Sequence, residues 1–251
     1  MYGLIHASGV ATFGYALYYE FVHLHVPRHV ARTSAIKAMS AFPGKWKYLT
    51  VWDLVLQFAY HTYSLANDFV GSSEIESKKQ TKMQKLRDVV FASVIFPTGA
   101  FVSITFWGIY SIDRELVFPK FMDAFYPSWL NHAVHTAPII FLCVEIYNVP
   151  KNFPKRSTSI IGNIFFSSTY LGWITWIAYD SGVWAYPILE VLDNVSRAAF
   201  LGASAGLLLG LYFVGEKIQR WRWGDKSVGD GTKDEPKLES SGKTKTKSKV
   251  K

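Results

Sequence analysis

The stretch VVFASVIFPTGAFVSITFWGIY, residues 89–110, contains neither lysine nor arginine. At 1.5 Å rise per residue, a predominantly apolar run of about 20 residues crosses a ~30 Å hydrocarbon layer, so this one is long enough to span a bilayer. Five more runs share its character, at residues 3–26, 48–70, 129–147, 160–178 and 198–215. Together they predict an all-α integral membrane protein, a bundle of about six transmembrane helices.

The charges agree with this reading. All 27 Lys and Arg residues fall outside the six runs, a partition that merely apolar helices of a soluble protein have no reason to respect. If the spans alternate in direction, one side receives 19 basic residues and the other eight. The richer side takes the 78–87 and 151–156 loops and everything from Glu216 onward; the positive-inside tendency makes it cytosolic and places both termini there. The 28–47 loop, with five basic residues, is the dissenting element. No basic segment precedes the first run, and that run exceeds a typical cleaved signal core, so an uncleaved first span is expected. The net charge of +8 sits in these loops and in the tail, where topology and anionic lipid explain it without nucleic acid.

Between the runs the loops are short and rich in turn formers, which predicts one membrane domain, residues 1–223. Residues 224–251 lack aromatic and nearly all aliphatic side chains and read as a disordered basic cytosolic tail. Its last residues, Lys247-Ser248-Lys249-Val250-Lys251, resemble a dilysine retrieval signal, so the expected location is the endoplasmic reticulum or the plasma membrane. Asn194-Val195-Ser196 is a glycosylation sequon on the expected lumenal side. The lone Cys143 excludes an intrachain disulfide and reads as a small buried apolar side chain. Trp46, Tyr48, Trp52, Tyr126, Trp129, Trp184 and Tyr186 fall near non-cytosolic span ends, with Trp221 and Trp223 at the cytosolic end, as aromatic belts would.

Chemistry enters with Asn131-His132-Ala133-Val134-His135-Thr136, two histidines about one turn apart at the start of the fourth run. Ionisable groups at membrane depth are costly, and each is a functional-site hypothesis. Thr50 enters its own span from the same side at nearly the same depth as His135, so a bundle can bring the two together. A threonine hydroxyl becomes a useful nucleophile when a base accepts its proton, and histidine is the usual base. Asp53 and His132 are placed to orient an imidazole or hold a water. The bland alternatives are a threonine bonded to its own backbone and an acidic group, Glu145 above all, that satisfies polar neighbours.

At these residues the chain resembles a known family. Trp46-Lys47-Tyr48-Leu49-Thr50-Val51-Trp52-Asp53-Leu54, Phe96-Pro97-Thr98-Gly99-Ala100-Phe101-Val102, Phe106-Trp107 with Tyr110 and Asp113-Arg114-Glu115, Trp129 through Thr136, and Trp184-Ala185-Tyr186-Pro187 occur in order. They are similar to the androgen-induced gene and androgen-dependent TFPI-regulating protein family, from about Trp46 through Glu216. The resemblance implies a multispan hydrolase of fatty acid esters of hydroxy fatty acids, with Thr50 as nucleophile and His135 as its partner. Asp53, Asn131 and His132 are supporting candidates. Lys45 or Lys47 could meet an anionic substrate, although either also reads as a flanking side chain that snorkels.

That chemistry requires no metal and no cofactor. The partners it implies are a lipid ester substrate and the bilayer; the sequence marks no protein partner. Three other readings compete. A bis-histidine haem carrier would pair His61 with His132 or His135. A metal hydrolase would need three ligands, from His132, His135 and Asp53. The third is a bundle that binds lipid without turnover.

Overall fold

The computed structural model describes residues 2–25 and 43–224. The expected tail, from residue 225 on, and most of the 28–47 loop lie outside the described residues. Among the described residues the chain is all-helical, without strands. Helix α1 (Tyr2–Tyr18) runs into a π turn, Tyr19–His23. A 3-10 turn at Gly44–Lys47 leads into α2 (Leu49–Val70). Helix α3 (Lys82–Val90) continues through a π turn (Phe91–Ile95) into α4 (Phe96–Ile112). Two 3-10 turns, Arg114–Leu116 and Lys120–Ala124, precede α5 (Ser128–His135) and α6 (Ala137–Asn148). The long α7 (Arg156–Ser181), the short α8 (Pro187–Val191) and α9 (Asn194–Trp223) complete the described chain.

Among the described residues three stretches are long and apolar enough to cross a membrane: Lys82–Ile112, Ser128–Asn148 and Asn194–Trp223. They contain three of the six expected runs. The other three runs are also helical, as α1, α2 and α7, but do not qualify on length and apolarity alone. In α2 the cause is visible, because its inner face buries Asp53, Gln57, His61, Ser64 and Asn67. The outside is greasy by contrast: Ile161, Ile164 and Phe165 of α7 and Leu207, Phe213 and Val214 of α9 are exposed. Polar groups inside and apolar side chains outside suit a hydrocarbon surrounding. The molecule is a helical membrane protein.

Two prolines shape the helices. Pro97 has no N–H for the carbonyl four residues earlier, that of Ser93. The chain widens there into the π turn, with Phe96 N–H bonded to Phe91 O. Asn163 Nδ2 of α7 donates to the freed Ser93 carbonyl at 3.2 Å. Pro138 likewise leaves Val134 O without its helical donor, and the ladder breaks at Thr136, between α5 and α6. Gly182 closes α7 at φ 71°, with its N–H on Ala178 O at 3.0 Å.

Two expectations need correction. The 78–87 loop is partly helix, because Thr81 caps α3 by accepting from Gln84 N–H at 3.2 Å. Arg87 is thereby buried, paired with Asp88 at 2.8 Å and donating to Pro150 O at 2.9 Å. Cys143, expected to be buried, is exposed; it lies on an outer face of α6, where a thiol can meet hydrocarbon without cost.

Helix α2 is the axis of the packing. Tyr60 joins Phe91, Phe96, Leu142 and Ile146 in one core cluster, Leu49 joins Val102, Tyr170 and Ile174 in a second, and Leu54 joins Phe13, Leu130 and Val134 in a third. Glu145 proves to be a structural hub. It accepts from Tyr60 Oη at 2.6 Å and Lys151 Nζ at 2.7 Å, and His6 Nε2 lies 3.1 Å away.

Candidate active site

Thr50 sits in the first turn of α2, which has no side-chain cap of its own. Instead, Tyr186 Oη accepts from Leu49 N–H at 2.8 Å. Tyr170 Oη bonds Tyr186 Oη and donates to Lys47 O, each at 3.0 Å. Trp52 and Trp173 donate their indole N–H groups to Trp46 O at 2.8 and 3.0 Å. Four aromatic side chains, Trp52 and Tyr186 from the sequence motifs and Tyr170 and Trp173 of α7, thus fix the turn that carries Thr50. Tyr186, expected in an aromatic belt, has this positioning role.

The structure brings Thr50 and His135 together: Thr50 Oγ1 lies 3.2 Å from His135 Nε2. The other ring nitrogen settles the tautomer. Nδ1 faces two acceptors, Asn131 Oδ1 at 2.8 Å and Asn131 O at 3.1 Å. A backbone carbonyl can only accept, so Nδ1 carries the proton whichever way the amide is turned. Nε2 then offers its lone pair, and the Thr50 hydroxyl donates to it. The Phe106 ring lies flat on the imidazole, with centroids 3.5 Å apart and planes 7° from parallel. Phe106 belonged to a quoted motif, but the sequence carries no signal for the stacking. Asn131 does have one, since its spacing of four residues from His135 puts both on one helix face.

The remaining candidates are not at the hydroxyl. Asp53 is fully buried and accepts from Gln57 Nε2 at 3.1 Å, so Asn131 rather than Asp53 orients the imidazole. His132 is exposed; its Nδ1 lies 3.0 Å from Thr136 Oγ1, and Trp107 stacks on it with centroids 5.3 Å apart. Among the described residues no group of three or more His, Cys, Asp or Glu converges as a metal ion needs. Both nitrogens of His135 are engaged, and His61 is packed between Phe13 and Phe141, with ring centroids 5.5 and 5.2 Å away. That arrangement does not fit the His61–His135 haem pairing.

Thr50 and His135 open into a cavity of about 680 Å³, walled mostly by apolar and aromatic side chains of α4, α7, α8 and α9. The segment between α4 and α5 contributes Val117, Phe118, Phe121 and Met122 to the wall. Arg114 braces this segment, bonding Asp123 Oδ1 at 2.6 Å and Phe118 O at 3.1 Å while its guanidinium lies over Tyr110 and Phe118, 5.4 Å from each centroid. At the other rim Lys45 pairs with Glu20 at 3.1 Å. Lys47 is buried and lines the cavity rather than reaching outward. Burial lowers its ammonium pKa to about 8.

A family model described as FAR-17a/AIG1-like protein matches residues 3–220. Human androgen-induced gene 1 protein is 35% identical over 204 residues, 79% of this chain and 86% of that protein. The androgen-dependent TFPI-regulating protein of Homo sapiens is 29% identical over 83% of this chain and 90% of its own length. A UPF0641 membrane protein of Schizosaccharomyces pombe is 22% identical over 74% of this chain and 79% of its own. No solved structure matches. The chain belongs to the FAR-17a/AIG1-like family.

Proposed function

We propose that this protein is a membrane-embedded hydrolase of lipid esters, acting on fatty acid esters of hydroxy fatty acids through an acyl-threonine intermediate. In this reading all six long helical segments cross the bilayer, both termini are cytosolic, and the protein resides in the endoplasmic reticulum or plasma membrane. The observation that carries the proposal is the Thr50 Oγ1 contact to His135 Nε2 at the wall of an apolar cavity. A cavity of about 680 Å³ falls in the size range of small-molecule sites. Its apolar walls suit acyl chains, and the buried Lys47 suits a carboxylate.

The chemistry follows from the atoms present. Thr50 Oγ1 attacks the ester carbonyl carbon while His135 Nε2 takes the hydroxyl proton. The imidazolium passes that proton to the departing alkoxide, which leaves as the hydroxyl of the hydroxy fatty acid. Water then adds to the acyl-threonine, with His135 again as base, and the fatty acid departs. Asn131 holds the tautomer throughout, as the neutral third member does in Cys-His-Asn sites.

The test is hydrolysis of a panel of lipid esters by purified wild type and Thr50→Ala. Wild-type turnover that disappears in a folded Thr50→Ala supports the reading. Retained turnover in Thr50→Ala rejects it, and so does an inactive wild type that binds the same esters.

A further inference from the structure

The proposed hydrolysis makes His135 a cation twice, once as Thr50 Oγ1 attacks the ester and once as water attacks the acyl-threonine. In a Ser-His-Asp site a buried aspartate stabilises that imidazolium. Here the same ring nitrogen bonds Asn131, which is neutral. The histidine–carboxylate pairs found among the described residues all belong to His6, and Asp53 accepts from Gln57 instead. His135 is itself buried, and an unpaired charge costs most where water is excluded.

The imidazole meets a ring instead of a carboxylate. Phe106 lies against it with centroids 3.5 Å apart and planes 7° from parallel. Carbon atoms in contact are themselves about 3.5 Å apart, so the two rings overlap almost completely. Neutral aromatic rings disfavour such a face-to-face sandwich and settle offset or edge to face, because their π faces repel. A cation over the same face is attracted to it. Phe106 is held in this place: Trp107 and Phe118 pack on it nearly at right angles, with centroids 5.1 and 6.3 Å away, and the residue is only 7% exposed. The stack thus suits the charged imidazolium better than the neutral imidazole.

We propose that Phe106 is a positioning residue whose ring face stabilises the positive charge of His135 during the reaction, in the role a carboxylate has in a Ser-His-Asp site. This inference rests on the hydrolase reading. As Thr50 Oγ1 bonds the acyl carbon, its proton passes to His135 Nε2, and the imidazolium lies over Phe106 until that proton reaches the departing alkoxide. The same charge forms again when water adds to the acyl-threonine and gives its proton to Nε2; it disappears when the proton returns to Thr50 Oγ1. The attraction belongs to the charged states and is absent from the resting one. It therefore lowers the barrier without tightening the binding of substrate.

Replacing Phe106 by mono-, di- and trifluorophenylalanine in the full-length protein tests this. Fluorine draws electron density from the ring face and changes the ring's volume little, so the packing on His135 persists while the attraction for a cation weakens. With an ester of a hydroxy fatty acid as substrate, kcat should fall stepwise along the series and KM should stay constant. Phe106→Leu removes the π face; a desolvated cation–π contact corresponds to about 30-fold in rate, and kcat should fall by about that factor. Labelling by a fluorophosphonate probe needs the same proton transfer, and its rate should fall in parallel. Equal kcat and labelling rates across the fluorinated series, or a loss carried by KM, overturn the role of Phe106 and leave the hydrolase reading standing. A wild type that neither hydrolyses the ester nor takes the probe overturns both.

Discussion

His135 Nδ1–H donates to Asn131 Oδ1 at 2.8 Å, one turn earlier on α5, and that bond turns the Nε2 lone pair towards Thr50. Asn131→Ala removes the amide but leaves the Asn131 carbonyl, 3.1 Å from Nδ1. The ring should keep its tautomer and lose part of its aim, and small misplacements cost up to about 10²-fold. Ester hydrolysis in Asn131→Ala is therefore expected to fall by about that factor or less, whereas His135→Ala abolishes it. An Asn131→Ala enzyme with wild-type kcat would contradict the orienting role.

Pro138 places the break that ends α5 at His135. Pro138→Ala restores a donor for Val134 O, and an interior proline costs a helix ~3 kcal/mol relative to alanine. Thermal unfolding in detergent should show a stability that is raised or unchanged, while straightening draws the imidazole off Thr50 and hydrolysis falls. A more stable variant with full activity would show that the break does not position the site.

Glu145 and Lys151 form a buried pair at 2.7 Å. Lys151→Met leaves the carboxylate with Tyr60 and His6 but without its lysine, a loss of up to about 3–5 kcal/mol. The double variant Glu145→Gln, Lys151→Met removes both charges and should recover much of that loss. Denaturant unfolding of the three proteins checks this; a double variant no more stable than Lys151→Met would contradict it.

Lys47 gives the proposed reaction a pH signature. Its pKa is lowered by burial to about 8, so the ammonium is charged below that pH and neutral above it. Attraction for a substrate carboxylate is present on the acid side and fades as pH rises through about 8. KM for an ester with a free carboxylate should rise across that interval, and KM for its methyl ester should not. Lys47→Met should remove the difference between the two esters.

Much of the architecture could be read from the chain because hydropathy and charge act over whole segments. Residues 89–110 read as a membrane helix on composition alone, and the matched depth of Thr50 and His135 in their runs allowed the contact that the fold makes. The rest depends on which helices become neighbours, and periodicity does not encode that. Asp53 is one turn from Thr50 on the sequence pattern, yet the close approach of α4 at Gly99 leaves it beside Gln57. Tyr186 and Phe106 looked like interface and span aromatics; only the fold shows one holding α2 and the other lying on His135. Pro138 lay inside an expected span, and only the fold shows that it ends α5 at His135.

The most direct test of the account is where a fluorophosphonate probe attaches. Peptide mapping of labelled wild-type protein should place the adduct on Thr50, with labelling lost in Thr50→Ala and in His135→Ala while both variants remain folded. An adduct on another residue, or undiminished labelling of Thr50→Ala, would contradict Thr50 as the nucleophile.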